Sequence, residues 1–242
     1  MLIRKPKTGR TMERAQKLEI STYAPAFLLG RPLNDVEAKY SPSKVYAAGA
    51  MKVPIPRPRV AIVGSREASL QGIEDADLIA RILVDKGVTI ISGLAKGIDA
   101  AAHRAAIRAG GQTIAVLGTP LDKAYPRENA ELQDEIIRRF LAVSQFEVGS
   151  TVRRSNFVVR NRTMALIADA SVVVQAGESS GTLSQAWEAL RLGRPLFIWK
   201  PIFDTSLKWP KEMVKFGAIK LLDPKDVLQN LPSAENILKI RL

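Results

Sequence analysis

The chemistry this sequence can offer starts with phosphate capture. Four short runs combine glycine with a hydroxyl or a cation: Gly64-Ser65-Arg66, Ser92-Gly93-Leu94-Ala95-Lys96-Gly97, Gly118-Thr119-Pro120 and Gly177-Glu178-Ser179-Ser180-Gly181-Thr182. Glycine lets a ligand approach the backbone closely, and a loop that opens a helix presents N–H groups suited to a phosphate. Lys96 adds a point charge and Arg66 a planar fork of donors. Any one glycine after a strand is explained by the need to turn the chain. Four such runs carrying two cations point further, to an anion site where they converge. None is a Walker A sequence or a G-x-G-x-x-G fingerprint, so nucleotide hydrolysis and hydride transfer have no motif here.

The densest basic stretch of the later chain is Arg153-Arg154-Ser-Asn-Phe157-Val-Val-Arg160-Asn161-Arg162, with no acid among its ten residues. Arginines position phosphates, and an aromatic ring can stack on an unpaired base. Arg153 and Arg154 fit either a phosphate contact or a solvated loop. Arg160 and Arg162, followed directly by apolar residues, are expected to start a helix aimed at the strand ends. His103 is the single histidine and lies four residues after Asp99, which predicts one helix face and a structural Asp–His pair pinning a loop. A catalytic triad with Ser65 or Ser92 would need a nucleophile elbow, which is absent. The candidate carboxylates Asp99, Asp122, Glu147 and Glu178 show no pairing suited to acid–base work. With one histidine and no cysteine, neither a transition-metal site nor a disulfide is expected, and no cofactor is called for.

The elements that must hold these loops are legible from residue 60 onward. Short apolar runs at Val60–Gly64, Val88–Ser92, Thr113–Leu117, Leu141–Ser144, Ser171–Gln175 and Pro195–Trp199 read as buried strands. Helical periodicity fills the gaps at Ala76–Leu83, Asp99–Ile107, Ala130–Phe140, Met164–Ala168 and Leu183–Leu192. Continuous β-branched runs imply strands covered on both faces. The alternation predicts an α/β fold with a doubly wound, mostly parallel, Rossmann-like sheet, whose ligands bind at the carboxyl ends of its strands.

Of 242 residues, 36 are Lys or Arg and 24 Asp or Glu, a net charge of +12. Such an excess favours polyanions, nucleic acid foremost. Residues 1–59 hold 12 basic and 4 acidic side chains, so two-thirds of the excess lies in the first quarter. This stretch reads as a separate basic segment, with a short helix within 11–29 that stops before Pro25. Its end, Lys52-Val-Pro-Ile-Pro-Arg-Pro-Arg59, reads as an extended connector. Four aromatics near the other end, Phe197, Trp199, Phe203 and Trp209, fit a contact surface as well as a core. No apolar run reaches membrane-span length and no signal-peptide pattern opens the chain, which predicts a soluble cytoplasmic protein with no membrane partner.

Several of these stretches resemble the DprA/Smf family of DNA-processing proteins. The resemblance rests on Val60-Ala-Ile-Val-Gly-Ser-Arg66, Ser92-Gly-Leu-Ala-Lys-Gly-Ile-Asp-Ala-Ala-Ala-His103, Gly110–Gly118, Tyr125-Pro126 with Asn129, and Phe157 with Arg160-Asn161-Arg162. It covers about residues 33–230, including Leu33-Asn-Asp-Val-Glu37, and makes 60–242 the Rossmann-like DprA/Smf domain. It implies a homodimeric, non-enzymatic protein that binds and protects single-stranded DNA without sequence preference. It further implies loading of a RecA-type recombinase, as in transformation-type DNA uptake. The implied DNA contacts are Arg66, Lys96, Arg160 and Arg162, with backbone from Gly64, Gly93, Gly97, Gly118 and Gly181.

The chain departs from the family at Gln145, where Ser-Glu is usual, and at Lys200-Pro201-Ile202, where Pro-Gly is usual. The winged-helix domain that ends many members has no counterpart before residue 242. The alternative is a nucleotide-binding sensor or a LOG-like phosphoribohydrolase. The acid that LOG chemistry uses is replaced by Gln185, an amide that cannot act as a base.

Overall fold

A computed structural model describes residues 18–231. Its centre is a nine-stranded sheet: β1 (Ser21–Tyr23), β2 (Val45–Gly49), β3 (Arg59–Gly64), β4 (Thr89–Ser92), β5 (Thr113–Leu117), β6 (Leu141–Ser144), β7 (Ala170–Gln175), β8 (Leu196–Trp199) and β9 (Ile219–Leu221). Side chains alternate between the faces of a strand, and here both faces are apolar. In β3, Val60 and Ile62 enter one core while Ala61 and Val63 enter the other. In β8, Phe197 and Trp199 go one way and Leu196 and Ile198 the other. Double coverage explains why these strands read as unbroken apolar runs.

One face carries α3 (Leu70–Asp85), α4 (Ile98–Arg108) and α5 (Ala130–Arg139). The opposite face carries α1 (Pro25–Leu29), α6 (Arg154–Ile167), α7 (Thr182–Arg191) and α8 (Trp209–Lys215), while α2 (Asp35–Tyr40) lies between α1 and β2 in the chain. The strand order is β1-β2-β6-β5-β4-β3-β7-β8-β9, antiparallel at β1-β2 and β2-β6 and parallel elsewhere. From β3 the chain winds through α3, α4 and α5 to β6. It then returns along α6 to β7 on the other side of β3 and winds away through α7. The winding direction therefore reverses between β3 and β7, which opens a crevice at their carboxyl ends.

The sheet does not break at residue 59, the expected domain boundary. Strand β2 pairs with β6 from Tyr46↔Ser144 to Gly49↔Leu141, and β1 pairs with β2, so residues 21–49 extend the same sheet. The proline-rich stretch is irregular, as expected, but it is fastened. Ile55 is buried and its amide donates to the Leu28 carbonyl at 3.0 Å. Pro25 begins a helix rather than ending one, because proline at the first helical position gives up only an amide that has no partner there. Residues 11–17 of the expected helix lie outside the described residues.

Phe197, Trp199 and Trp209 are core, so they form no contact surface. They are buried because β8 is covered on both faces and Trp209 packs beneath it. The exposed apolar side chains near that end are Trp187, Val214, Phe216, Ile219 and Leu222, with Trp187 and Phe216 edge-to-face at 5.1 Å.

At the amino edge of the sheet, arginines and two carboxylates form a buried network. Asp169, just before β7, accepts from the Arg59 amide (2.9 Å) and from the Arg57 and Arg59 guanidinia. Glu37 of α2 is wholly buried between Arg31 and Arg194. Burial alone would raise the Glu37 carboxyl. Hydrogen bonds from Arg31 and the Asn34 amide, with the charges of Arg194 and Arg31, outweigh that and hold it at about 2. Arg59, 1% exposed, is lowered to about 10 by burial, against the opposing pull of Asp169.

Candidate functional site

Three of the four glycine loops meet at the β3–β7 crevice, and the fourth, at Gly118 after β5, lies against Phe157 beside it. Gly64 ends β3, and its carbonyl accepts from Thr182 Oγ1 at 2.9 Å, which ties the loop after β3 to the N-terminus of α7. The Ser65 amide donates to the Gln175 carbonyl at 2.7 Å, joining the same loop to the end of β7. Ser65 O accepts from the Ile98 amide at 3.2 Å, which brings in the N-terminus of α4. Gly97 caps that helix at φ +70°, and a Cβ there would collide with Ser65 O, so the position requires glycine. Asn129 holds the intervening loop by donating to the carbonyls of Leu94 (3.0 Å) and Ala95 (3.1 Å). The amides of Arg66, Lys96, Gly97, Ser179 and Gly181 donate to no other described residue.

Beside these amides stands an aromatic platform. Phe157, on the first turn of α6, packs on Gly118 so closely that a Cβ there would stand 2.5 Å from the ring. Tyr125 lies 5.1 Å from Phe157 at 46° and is 52% exposed. The Arg66 guanidinium sits 5.6 Å from the centre of the Phe157 ring, in cation–π range, and is exposed. Arg153 and Arg154 are exposed at the start of the same helix, with no ion-pair partner among the described residues. Lys96 is about half exposed and pairs with Glu128 at 2.6 Å. Ser179 and Gly181 are exposed on the β7–α7 loop, where Ser180 Oγ and Thr182 Oγ1 hydrogen-bond at 3.0 Å.

Several of the expected ligands are engaged by other parts of the fold. Arg160 is buried, and Nη1 donates to the carbonyls of Gly93 and Val116, both at 2.6 Å. It clamps the ends of β4 and β5 from beneath instead of reaching into the crevice, and burial lowers it despite the attraction of Asp99. Arg162, two residues on, faces the other side of α6 and pairs with Glu188 of α7 at 3.0 Å, away from the crevice. Ser92 Oγ is buried and donates to the Ile62 carbonyl at 2.6 Å, so it is not available to a phosphate. Asn161 Nδ2 donates weakly to the Gly181 carbonyl at 3.4 Å, steadying the β7–α7 loop.

Asp99 and His103 both support the site, but not as a pair. Asp99 Oδ2 accepts from the amides of Gly93 (3.2 Å) and Ala95 (3.4 Å), which pins the loop to α4. Burial pushes its carboxyl up, against the pull of Arg160 and these amides. His103 Nδ1 instead meets Thr113 Oγ1 at 2.7 Å, one turn deeper, where the Thr113 hydroxyl donates to the Ile90 carbonyl. Burial, with Arg160 and Arg104 nearby, lowers His103 to about 3.

Tyr125 and Gln175 are the functional neighbours that sequence reasoning did not single out for a role. Gln175 is a polar residue following three valines at the end of β7, and its Oε1 accepts from the Ser69 amide at 3.0 Å. Gln185 is buried, with Nε2 near Ser171 Oγ at 3.4 Å, and offers an amide rather than a carboxylate. Among the described residues no three His, Asp or Glu side chains gather as metal ligands do, and no helix is long and apolar enough to cross a membrane.

Comparison with known proteins gives this arrangement a lineage. The DNA processing protein DprA of Bacillus subtilis (strain 168) is 31% identical over 192 residues, covering 79% of this chain and 65% of that protein. The chain spans less than two thirds of the length of the curated relatives it matches. The X-ray structure of DNA processing protein A from Streptococcus pneumoniae superposes with a TM-score of 0.74 at 31% identity, over 90% of this chain and 76% of that one. DNA processing protein A from Helicobacter pylori, whose structure was described for a unique single-stranded DNA binding mode, gives 0.74 at 25% identity. That match covers 93% of this chain and 98% of that one. The family model for DNA recombination-mediator protein A matches residues 31–232. With that match spanning most of the sequence, the chain belongs to the DNA recombination-mediator protein A family.

Proposed function

We propose that the carboxyl edge binds single-stranded DNA without sequence preference and presents it to a RecA-type recombinase. The observation that carries this reading is that phosphate donors and an aromatic pair stand together on one edge, in a chain of the DNA recombination-mediator protein A family. Unpartnered loop amides with Arg66 and Lys96 suit the backbone, and the Tyr125–Phe157 pair beside them suits an unpaired base. Stacking contributes about 1–3 kcal/mol per base and tolerates any base, since each has a π-face. Phosphate contacts carry the rest and make affinity fall steeply with salt. One base is stacked while its neighbours stay open to the recombinase. The Helicobacter pylori relative, described for its single-stranded DNA binding mode, supports the same ligand class.

A binding role, not catalysis, fits the site best, because the residue standing where LOG chemistry needs an acid is the amide of Gln185. The protein would act in the cytoplasm as a homodimer, for which the β9 edge with Phe216, Ile219 and Leu222 offers an exposed apolar surface. The direct test is photo-crosslinking with 5-iodouridine-substituted oligonucleotides, followed by peptide mass spectrometry. Crosslinks at Tyr125 or Phe157 are expected. Crosslinks confined to residues outside the carboxyl edge would overturn the reading.

A further inference from the structure

Next to Gly97 the surface falls into a second hollow that the phosphate loops leave unused. A groove of about 570 Å³ runs between α3 and α4, from Lys96 and Gly97 at the carboxyl edge to Arg108 at the far end of α4. Its floor is small and apolar, made of Ala100, Ala101 and Ile73, so a backbone can lie close to it. Ala100, Arg104 and Arg108 are spaced by four residues and share one face of α4, each step rising about 6 Å. That step is comparable to the separation of successive phosphates along an extended strand.

The charges of the groove favour such an occupant. Arg104 is exposed and has no ion-pair partner among the described residues. Arg108 shares Asp77 with Arg81, and Lys96 is held by Glu128. These are exposed pairs of the kind worth about 0–1 kcal/mol, which a phosphate can displace. Glu74 is the one carboxylate in the groove without an ion-pair partner among the described residues.

We infer that a strand leaving the phosphate loops passes Lys96 and continues along α4, with successive phosphates on Arg104 and Arg108. The inference rests on the carboxyl-edge reading and adds a direction to it: the strand exits over the α3–α4 face, not over α7.

The test compares oligothymidines of about 5 and about 20 nucleotides on wild type, Arg104→Ala/Arg108→Ala and Glu74→Lys, across a salt series. The double variant is expected to bind the short strand as wild type does. On the long strand its log–log salt slope should shrink by about 1.4, for two lost phosphate contacts. Glu74→Lys should strengthen only the long strand and steepen its slope by about 0.7. A long-strand slope unchanged in both variants, with the short strand still bound, overturns the exit path alone. Failure of both lengths to bind wild type overturns the carboxyl-edge reading, and the path with it.

Discussion

The two edges of the sheet use the same residue type for opposite purposes. At the amino edge, Arg31, Arg57, Arg59 and Arg194 converge on Glu37 and Asp169, both wholly or nearly buried. At the carboxyl edge, Arg66, Arg153 and Arg154 stand exposed without carboxylate partners among the described residues. A buried arginine with a carboxylate staples elements together, whereas an exposed arginine beside unpartnered amides is free to meet an anion. Burial and partnership, not residue type, separate the structural arginines from those left available to a ligand. Arg160 is the exception that sharpens the rule, because it sits at the carboxyl edge yet behaves like an amino-edge arginine.

The largest expected effect breaks the amino edge. Glu37→Gln leaves Arg31 and Arg194 without their counter-charge and should cost about 3 kcal/mol in urea unfolding, while single-strand affinity at 25 °C is unchanged. A loss of affinity with full stability would erase the division between the edges. Arg160→Ala should lower both quantities, since it orphans the carbonyls of Gly93 and Val116, at about 1–3 kcal/mol of stability. An Arg160→Ala variant as stable as wild type but unable to bind DNA would make Arg160 a direct ligand after all.

His103 gives a pH signature beneath the carboxyl edge. Its folded-state value of about 3 lies below the ordinary 6.5. The unfolded chain therefore binds the extra proton between those values, and stability must fall as pH drops below about 6.5. The loss should reach about 2 kcal/mol by pH 5, and His103→Gln should flatten that part of the urea-midpoint profile. The smallest effect on stability is expected at Arg66→Ala, within about 0.5 kcal/mol of wild type by thermal unfolding.

The carboxyl edge was legible because its signals are local. A β-branched run followed by glycine and a hydroxyl announces a strand end and a loop, and four of these at strand-helix spacing imply convergence. The amino-edge network was not, because Arg59 and Asp169 lie 110 residues apart and each reads alone as surface charge. Helix phase explains why Arg160 and Arg162 part company: the run predicts a helix, but only the packing of α6 on the sheet decides which arginine turns inward. Strands β1, β2 and β9 escaped notice because they are short edge or near-edge elements flanked by irregular chain. Asp99 and His103 were correctly placed on one helix face, but the Thr113 hydroxyl, supplied by β5, took the histidine.

The most direct test is fluorescence anisotropy of labelled single-stranded DNA with wild type, Arg66→Ala/Phe157→Leu and Arg57→Ala, across a salt series. Phe157→Leu keeps the packing on Gly118 largely apolar while removing the ring. The account predicts that the Arg66/Phe157 variant loses most of its affinity and shows a shallower salt slope, while Arg57→Ala binds as wild type does. Equal binding by wild type and the Arg66/Phe157 variant, with loss in Arg57→Ala, would place the DNA elsewhere and contradict it.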